Sequence, residues 1–221
     1  MQDTYIDIHT HKMPDANTIA LQNLSGDFER VNIKGRYSAG LHPWFIKEEN
    51  FENDFLKLKD ATSSQNVEAI GECGLDKVFD ISFELQVKAF ERQIALANEI
   101  GKPLIIHCVR AFGEVINMLS ENKNKVPVIF HGFNRNATLA KQLIDKGFYL
   151  SFGEAILNKA MKDVFDTVPL ESIFLETDKS SQTIQRLYAE ASEIKNMDID
   201  LLNLQMLLNA FKVFGEQFLR L

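Results

Sequence analysis

Ile6-Asp7-Ile8-His9-Thr10-His11 is the stretch from which the rest of the chain can be read. Tyr5, Ile6 and Ile8 favour extended backbone, so the segment reads as a short strand running into two histidines. Successive side chains of a strand point to opposite faces. His9 and His11 therefore share a face, with Asp7 behind them in the same row. Two imidazoles so placed can share a metal ion, while a lone His-x-His also reads as a pair of surface histidines. The other ligand-type residues decide between these readings.

Outward from this strand the chain repeats one rhythm: a short apolar run ending in a polar residue, an amphipathic stretch, then another apolar run. That alternation predicts βα units on a parallel sheet. The apolar runs place strands at 5–10, 18–23, 36–41, 67–71, 103–107, 127–131, 147–152 and 172–176. No helical periodicity appears at 11–18 or 24–35, so the first two crossovers are expected to be loops or single turns. Helical stripes follow. Phe51, Phe55 and Leu58 mark one, and Phe83, Val87, Phe90, Ile94 and Ala97 mark a longer one that stops at Gly101-Lys102-Pro103. Others run through Phe112, Val115 and Leu119, through Leu139, Ala140 and Leu143, and through Ile184, Leu187 and Ala191. A last one, capped by Asp198, carries Leu202, Met206, Phe211 and Phe218. These stripes are core-packing faces.

Eight strands in this alternation predict an α/β fold, a TIM-type (β/α)8 barrel whose first two crossover helices are short or missing. The weakly marked second strand leaves a distorted or seven-stranded version open. No linker, repeat or low-complexity tract divides residues 1–221, which are read as one domain. In such barrels catalytic groups come from the C-terminal ends of the strands.

A net charge of −7 supplies no global attraction for nucleic acid or an anionic membrane, so an anionic substrate must be held by local positive charge or by metal. No apolar run approaches the length of a membrane span, and MQDTYID does not have the pattern of a signal peptide. Cys73 and Cys108 are too few and too scattered for a disulfide framework, which suggests a reducing cytoplasm. Both are read as small apolar residues.

The five histidines are His9, His11, His42, His107 and His131; each ends an apolar run and none falls on a predicted helix. Glu72 follows Ala69-Ile70-Gly71, and Asp178 follows Ile173-Phe174-Leu175-Glu176-Thr177. A carboxylate buried at a strand end is costly unless a cation or partner satisfies it. Seven such residues at one end of a barrel point to a metal centre. Their number exceeds the needs of one tetrahedral ion, and two divalent ions bridged by a carboxylate would account for it. Mixed nitrogen and oxygen ligation suits Zn, Mn or Fe, whereas Mg prefers oxygen-rich sites.

Here the chain resembles the TatD-type metal-dependent deoxyribonucleases of the amidohydrolase superfamily. The matching stretches are Asp7-Ile-His-Thr-His11, Gly40-Leu-His-Pro43, Ile70-Gly-Glu-Cys-Gly-Leu-Asp76, Pro103-Leu-Ile-Ile-His-Cys-Val-Arg110, His131-Gly-Phe, Tyr149-Leu-Ser-Phe-Gly153 and Leu175-Glu-Thr-Asp178, in family order. Asn209-Ala-Phe-Lys-Val-Phe214 looks like the family's last helix. The resemblance implies that His9 and His11 bind one metal and that Glu72 bridges to a second, whose shell His107 and His131 complete. It implies that Asp178 binds metal and handles the proton of the attacking water. It also puts His42 in the substrate pocket, where the alternative is a loop residue held rigid by Pro43. Arg110, just past His107, is suited to a bidentate phosphate contact or to a salt bridge with Asp76 or Glu176.

Basic residues follow most of the ligand-bearing strands: Lys12, Lys77, Arg110, Arg135 and Lys179. They favour DNA or another phosphate-containing substrate, with no protein partner evident. The chain departs from the family at Gly132-Phe-Asn-Arg135, at Gly153-Glu154-Ala155 and at Lys179-Ser-Ser-Gln-Thr183, where the substrate walls lie. Cleavage of phosphodiester bonds from an end of single-stranded DNA is the expected reaction. A small phosphoester, a lactone or an amide is the alternative for the same centre.

Overall fold

The computed structural model describes residues 4–24 and 26–220. Eight strands lie in one sheet in chain order: β1 (Tyr5–Thr10), β2 (Thr18–Asn23), β3 (Tyr37–Ala39), β4 (Val67–Asp76), β5 (Leu104–Val109), β6 (Val128–Phe130), β7 (Tyr149–Phe152) and β8 (Ile173–Leu175). Helices α1 (Phe51–Ala61), α2 (Phe83–Ile100), α3 (Phe112–Glu121), α4 (Ala137–Ile144) and α5 (Lys159–Thr167) occupy the successive connections from β3 onward. Helices α6 (Ile184–Lys195) and α7 (Ile199–Phe214) follow β8. This is the succession of a TIM-type (β/α)8 barrel. As expected, the first two crossovers carry no α-helix, and the second holds only a short 3-10 turn at Phe28–Asn32.

The chain divides into two compact units, one formed by the chain through Gln22 together with Ile129 onward, the other by Asn23–Val128. In the first, β6, β7 and β8 pair in parallel, with Phe130 opposite Leu150 and Phe152 opposite Leu175. Between β1 and β8 the ladder is reduced to one bridge, Thr10 with Asp178. There the Asp178 amide donates to the His9 carbonyl at 2.9 Å and the His11 amide to the Asp178 carbonyl at 3.2 Å. Lower on the seam, the Tyr188 hydroxyl on α6 bonds the backbone of β1. It accepts from the Ile6 amide and donates to the Ile6 carbonyl, both at 3.1 Å. Buried backbone groups must find partners, and a phenol that both donates and accepts serves the two at once.

In the second unit β3, β4 and β5 pair in parallel and α2 packs across β4. Helix α2 starts at Ser82, whose hydroxyl accepts from the Leu85 amide, and stops at Gly101 in the left-handed conformation (φ 69°), as the sequence predicts. Strand β4 differs from expectation. It continues to Asp76 instead of ending at Gly71, so Glu72 lies within the strand and not after it. The register shifts between Ile70 and Cys73, and Gly74 (φ 134°) sits opposite His107. A Cβ on Gly74 would stand 2.1 Å from the His107 carbonyl oxygen, so only glycine lets the two strands approach there.

Other strand ends fall within three residues of expectation; β3 is shorter, at Tyr37–Ala39. Helix α5, which buries Met161 and Phe165, is absent from the sequence reading. No described helix is long and apolar enough to cross a membrane.

Candidate metal-binding sites

In the first unit, His9, His11 and Asp178 each offer one ligand atom, all within 4.8 Å of one another. Strand β1 carries His9, and His11 follows directly after its last residue, Thr10. The backbone bridge between Thr10 and Asp178 brings the carboxylate alongside. Asp178 Oδ1 lies 3.7 Å from His9 Nε2 and 3.4 Å from His11 Nε2. Asp178 adopts φ 48°, a left-handed conformation unfavourable for a residue with a side chain and found where surrounding contacts over-determine the backbone. The ring of His131, just past β6, lies 4.4 Å from that of His9 and tilted 38° to it, and its Nδ1 is 3.4 Å from Glu176 Oε1.

Behind these groups, Asp7 accepts from both the amide (3.0 Å) and the hydroxyl (2.6 Å) of Thr177. Burial nevertheless pushes the Asp7 carboxyl up to about 7, with the Thr177 bonds opposing. Glu176 is also fully buried. Burial raises its carboxyl, but the hydrogen bond and charge of His131, with smaller contributions from His9, hold it below the ordinary value.

In the second unit, His42, Glu72 and His107 form another such group, all buried. Glu72 Oε1 stands 3.0 Å from His42 Nε2 and 3.0 Å from His107 Nδ1, while Oε2 accepts from Asn23 Nδ2 at 2.8 Å. His107 is oriented from its other nitrogen by Asp76, with Nε2 and Oδ2 3.1 Å apart. The same Asp76 oxygen accepts from the Trp44 indole at 2.7 Å. Burial raises the Asp76 carboxyl, but the bonds from Trp44, His107 and the Val78 amide outweigh it and leave it below the ordinary range. Carboxylate partners of this kind set ring orientation and ligand basicity.

Two buried helix residues hold the loops that carry this group. Gln86 accepts from the Asp76 amide and donates to the Asp76 and Ile81 carbonyls, and Gln93 bonds both the amide and the carbonyl of Leu41.

Nitrogen and oxygen donors in groups of three fit a divalent ion of the Zn, Mn or Fe type. His42, expected at the substrate wall, lies in one of the groups that could hold a metal ion. Arg110 lies exposed just past β5 (φ 54°) and, among the described residues, forms no ion pair with Asp76. Two of the five rim cations are engaged: Lys12 with the Ser180 carbonyl and Lys77 with Glu114. Cys73 is fully buried and its thiol is pushed up by that burial, so it is a packing residue as expected. Asn23, Trp44, Gln86, Gln93 and the supporting roles of Asp76 and Glu176 were not read from the sequence. Their signals were faint: Glu176 and Asp76 are acidic residues at the ends of apolar strands.

A (β/α)8 succession with clustered histidines and carboxylates at its strand ends defines a class of metal-binding barrel proteins. The family model described as TatD related DNase matches residues 22–215, and the chain belongs to that family. His9 and His11 precede the matched segment, which begins near the end of β2.

The chain is 35% identical over 156 residues to an uncharacterized metal-dependent hydrolase of Buchnera aphidicola subsp. Baizongia pistaciae, covering 68% of this chain and 58% of that protein. It is 32% identical over 147 residues to the 3'-5' ssDNA/RNA exonuclease TatD of Edwardsiella piscicida, covering 64% of this chain and 56% of that protein. The chain thus matches somewhat over half the length of these relatives. Among solved structures, YJJV, a TATD homolog from Escherichia coli K12, superimposes with a TM-score of 0.86 at 23% identity, covering 98% of this chain and 100% of that one. That likeness establishes the shared fold.

Proposed function

We propose that the protein is a divalent-metal-dependent phosphodiesterase that removes nucleotides from an end of single-stranded nucleic acid. The observation that carries this reading is the pair of three-residue ligand groups, His9–His11–Asp178 and His42–Glu72–His107. Each would hold one divalent ion, two in all. The naming of the Edwardsiella piscicida relative as an exonuclease of single-stranded DNA and RNA supports the substrate class.

A bound divalent ion supplies Lewis-acid polarisation of the phosphoryl oxygen and hydroxide at neutral pH. The protein's own residues do the rest. Asp178, whose side chain is 40% exposed while that of Glu72 is 6% exposed, is the carboxylate open to solvent. It takes the proton from the attacking water and returns it to the leaving oxygen. Glu72, clamped by Asn23 and two imidazoles, stays a ligand. His131 and Glu176 hold one another behind His9. Beside Asp178 opens a polar cleft of about 440 Å³ lined by Asn134, Glu154, Asn158 and Lys179, suited to the sugar-phosphate backbone. Lys179, which lines this cleft, contacts phosphate there; Arg110, exposed just past β5, is suited to the same contact.

The test is degradation of end-labelled single-stranded DNA and RNA by protein loaded with Mn or Zn, alongside a panel of phosphomonoester, lactone and amide substrates. Loss of about a hundredfold or more in Asp178→Asn and Glu72→Gln is expected. Hydrolysis of a small ester with intact oligonucleotides would establish the alternative substrate, which the engagement of Lys12 and Lys77 favours.

A further inference from the structure

Beside the His42–Glu72–His107 group lies a cluster of aromatic rings that the hydrolytic chemistry does not use. Trp44 and Phe45 follow His42-Pro43, and Phe79 lies just past β4. The Trp44 and Phe79 rings stack with centroids 5.0 Å apart and planes 14° from parallel. Trp44 presents its edge to His42 at 4.9 Å and to His107 at 5.3 Å, and Phe45 lies 5.4 Å from His42. Phe45 is 62% exposed and Phe79 is 42% exposed.

Single exposed apolar side chains are ordinary. Exposed rings gathered against a polar, ligand-bearing group are not, because they leave apolar surface in water with no gain to folding. The platform is also held in place. Asp76 Oδ2 accepts from the Trp44 indole, and its Oδ1 accepts from the amides of Val78 (2.8 Å) and Phe79 (3.2 Å). One carboxylate thus fixes the loop that carries Phe79, the ring that Phe79 stacks on, and the imidazole of His107. A pre-set surface spends little entropy on ordering when it binds.

We infer that Phe45 and Phe79, backed by Trp44, form a stacking platform for an unpaired nucleobase of the substrate strand. The inference rests on the phosphodiesterase reading above and names how that site selects a single strand. A base hangs one sugar away from its phosphate, so a phosphate at the ligand group carries its neighbouring base over these rings. Only an unstacked base presents a free π face, and every base has one, so the platform selects for single-strandedness without reading sequence. On a chain of net charge −7, stacking also adds affinity that does not depend on counterion release.

The experiment uses fluorescently labelled hexathymidylate and an abasic oligonucleotide of equal length and charge. Trp44 is the sole tryptophan, so its emission reports directly on the platform. Hexathymidylate should quench it and the abasic chain should not. The base-bearing oligonucleotide should bind at least about fivefold more tightly, a preference that persists at high salt. The double variant Phe45→Ala/Phe79→Ala should bring that ratio close to one, and Phe45→Tyr/Phe79→Tyr should keep it; both positions are exposed, so folding is not at stake. Equal affinity for the two oligonucleotides, or a ratio unmoved by the alanine pair, overturns the platform. Hydrolysis of the oligonucleotide without base preference leaves the phosphodiesterase standing and the platform refuted. Base-dependent quenching without hydrolysis supports the platform and refutes the phosphodiesterase.

Discussion

The Thr177 hydroxyl donates to Asp7 Oδ2 at 2.6 Å across 170 residues of chain, in the seam where β1 and β8 share only one backbone bridge. Having given its proton to Asp7, the hydroxyl accepts from Thr10 at 2.8 Å. The residues next to this chain of bonds are His9, His11 and Asp178. The seam therefore sets how the Asp178 carboxylate faces the two imidazoles.

Thr177→Val keeps the shape and removes both bonds. Asp7 would keep only the Thr177 amide as donor, and a loss of about 1–3 kcal/mol in stability is expected from an under-satisfied buried carboxyl. Divalent-ion affinity should fall by about tenfold or more, as for other residues that orient ligands. Thr177→Ser should restore both. Calorimetric ion titration checks this, and an ion affinity unchanged in the valine variant would remove the seam from the argument.

The apolar runs made the barrel legible because each buried strand is a short hydrophobic segment closed by a polar residue, and the histidines end those segments. What failed did so for physical reasons. The apolar run stops at Gly71, yet β4 passes through a register shift between Ile70 and Cys73 and carries on to Asp76. Asn23, Trp44, Gln86 and Gln93 act through hydrogen bonds to partners 10 to 52 residues away, often backbone groups, and no local pattern encodes these.

Tyr188→Phe tests how the seam is closed below that bridge. The buried phenol satisfies both the amide and the carbonyl of Ile6, and phenylalanine fills the same space without serving either. A cost of about 1–3 kcal/mol is expected. Hydrogen exchange locates it: the Ile6 amide should lose protection while the amides of β7 keep theirs. Unchanged protection at Ile6 would mean that another group takes over the bond.

Glu190 offers a test by pH. Its side chain is 3% exposed and bonds to Lys162 and, at 2.8 Å, to Arg186. The hydrogen bond from Lys162, with both positive charges, outweighs burial and holds its carboxyl below the ordinary 4.5. A carboxyl depressed in the folded state adds stability above its unfolded pKa and loses it as pH falls through the folded one. Wild type should therefore exceed Glu190→Gln by about 1 kcal/mol or somewhat more at pH 7, the gain being trimmed by the exposure of both cations. The gap should narrow as pH falls below 4.5 and through the lower folded value. Denaturant midpoints at pH 7, 5 and 3.5 measure it, and a constant gap would show that the cost is packing, not charge.

Gln86 links the core of α2 to the second ligand group. Its side chain is 1% exposed and makes three bonds to backbone, from the Asp76 amide at 2.8 Å and to the carbonyls of Asp76 at 3.0 Å and Ile81 at 3.1 Å. Asp76 in turn orients His107, which faces Glu72. Gln86→Leu leaves three backbone groups unserved, two of them buried, and should cost about 2–4 kcal/mol. Gln86→Glu keeps the acceptor for the Asp76 amide but sets an oxygen against two carbonyls, so it should be no better. If Gln86 acts through Asp76, the ion held by His42, Glu72 and His107 should bind about tenfold more weakly in both variants. Hydrogen exchange of residues 76–81 should rise with it. A variant that is destabilised yet binds its full complement of ion at wild-type affinity would confine Gln86 to the fold.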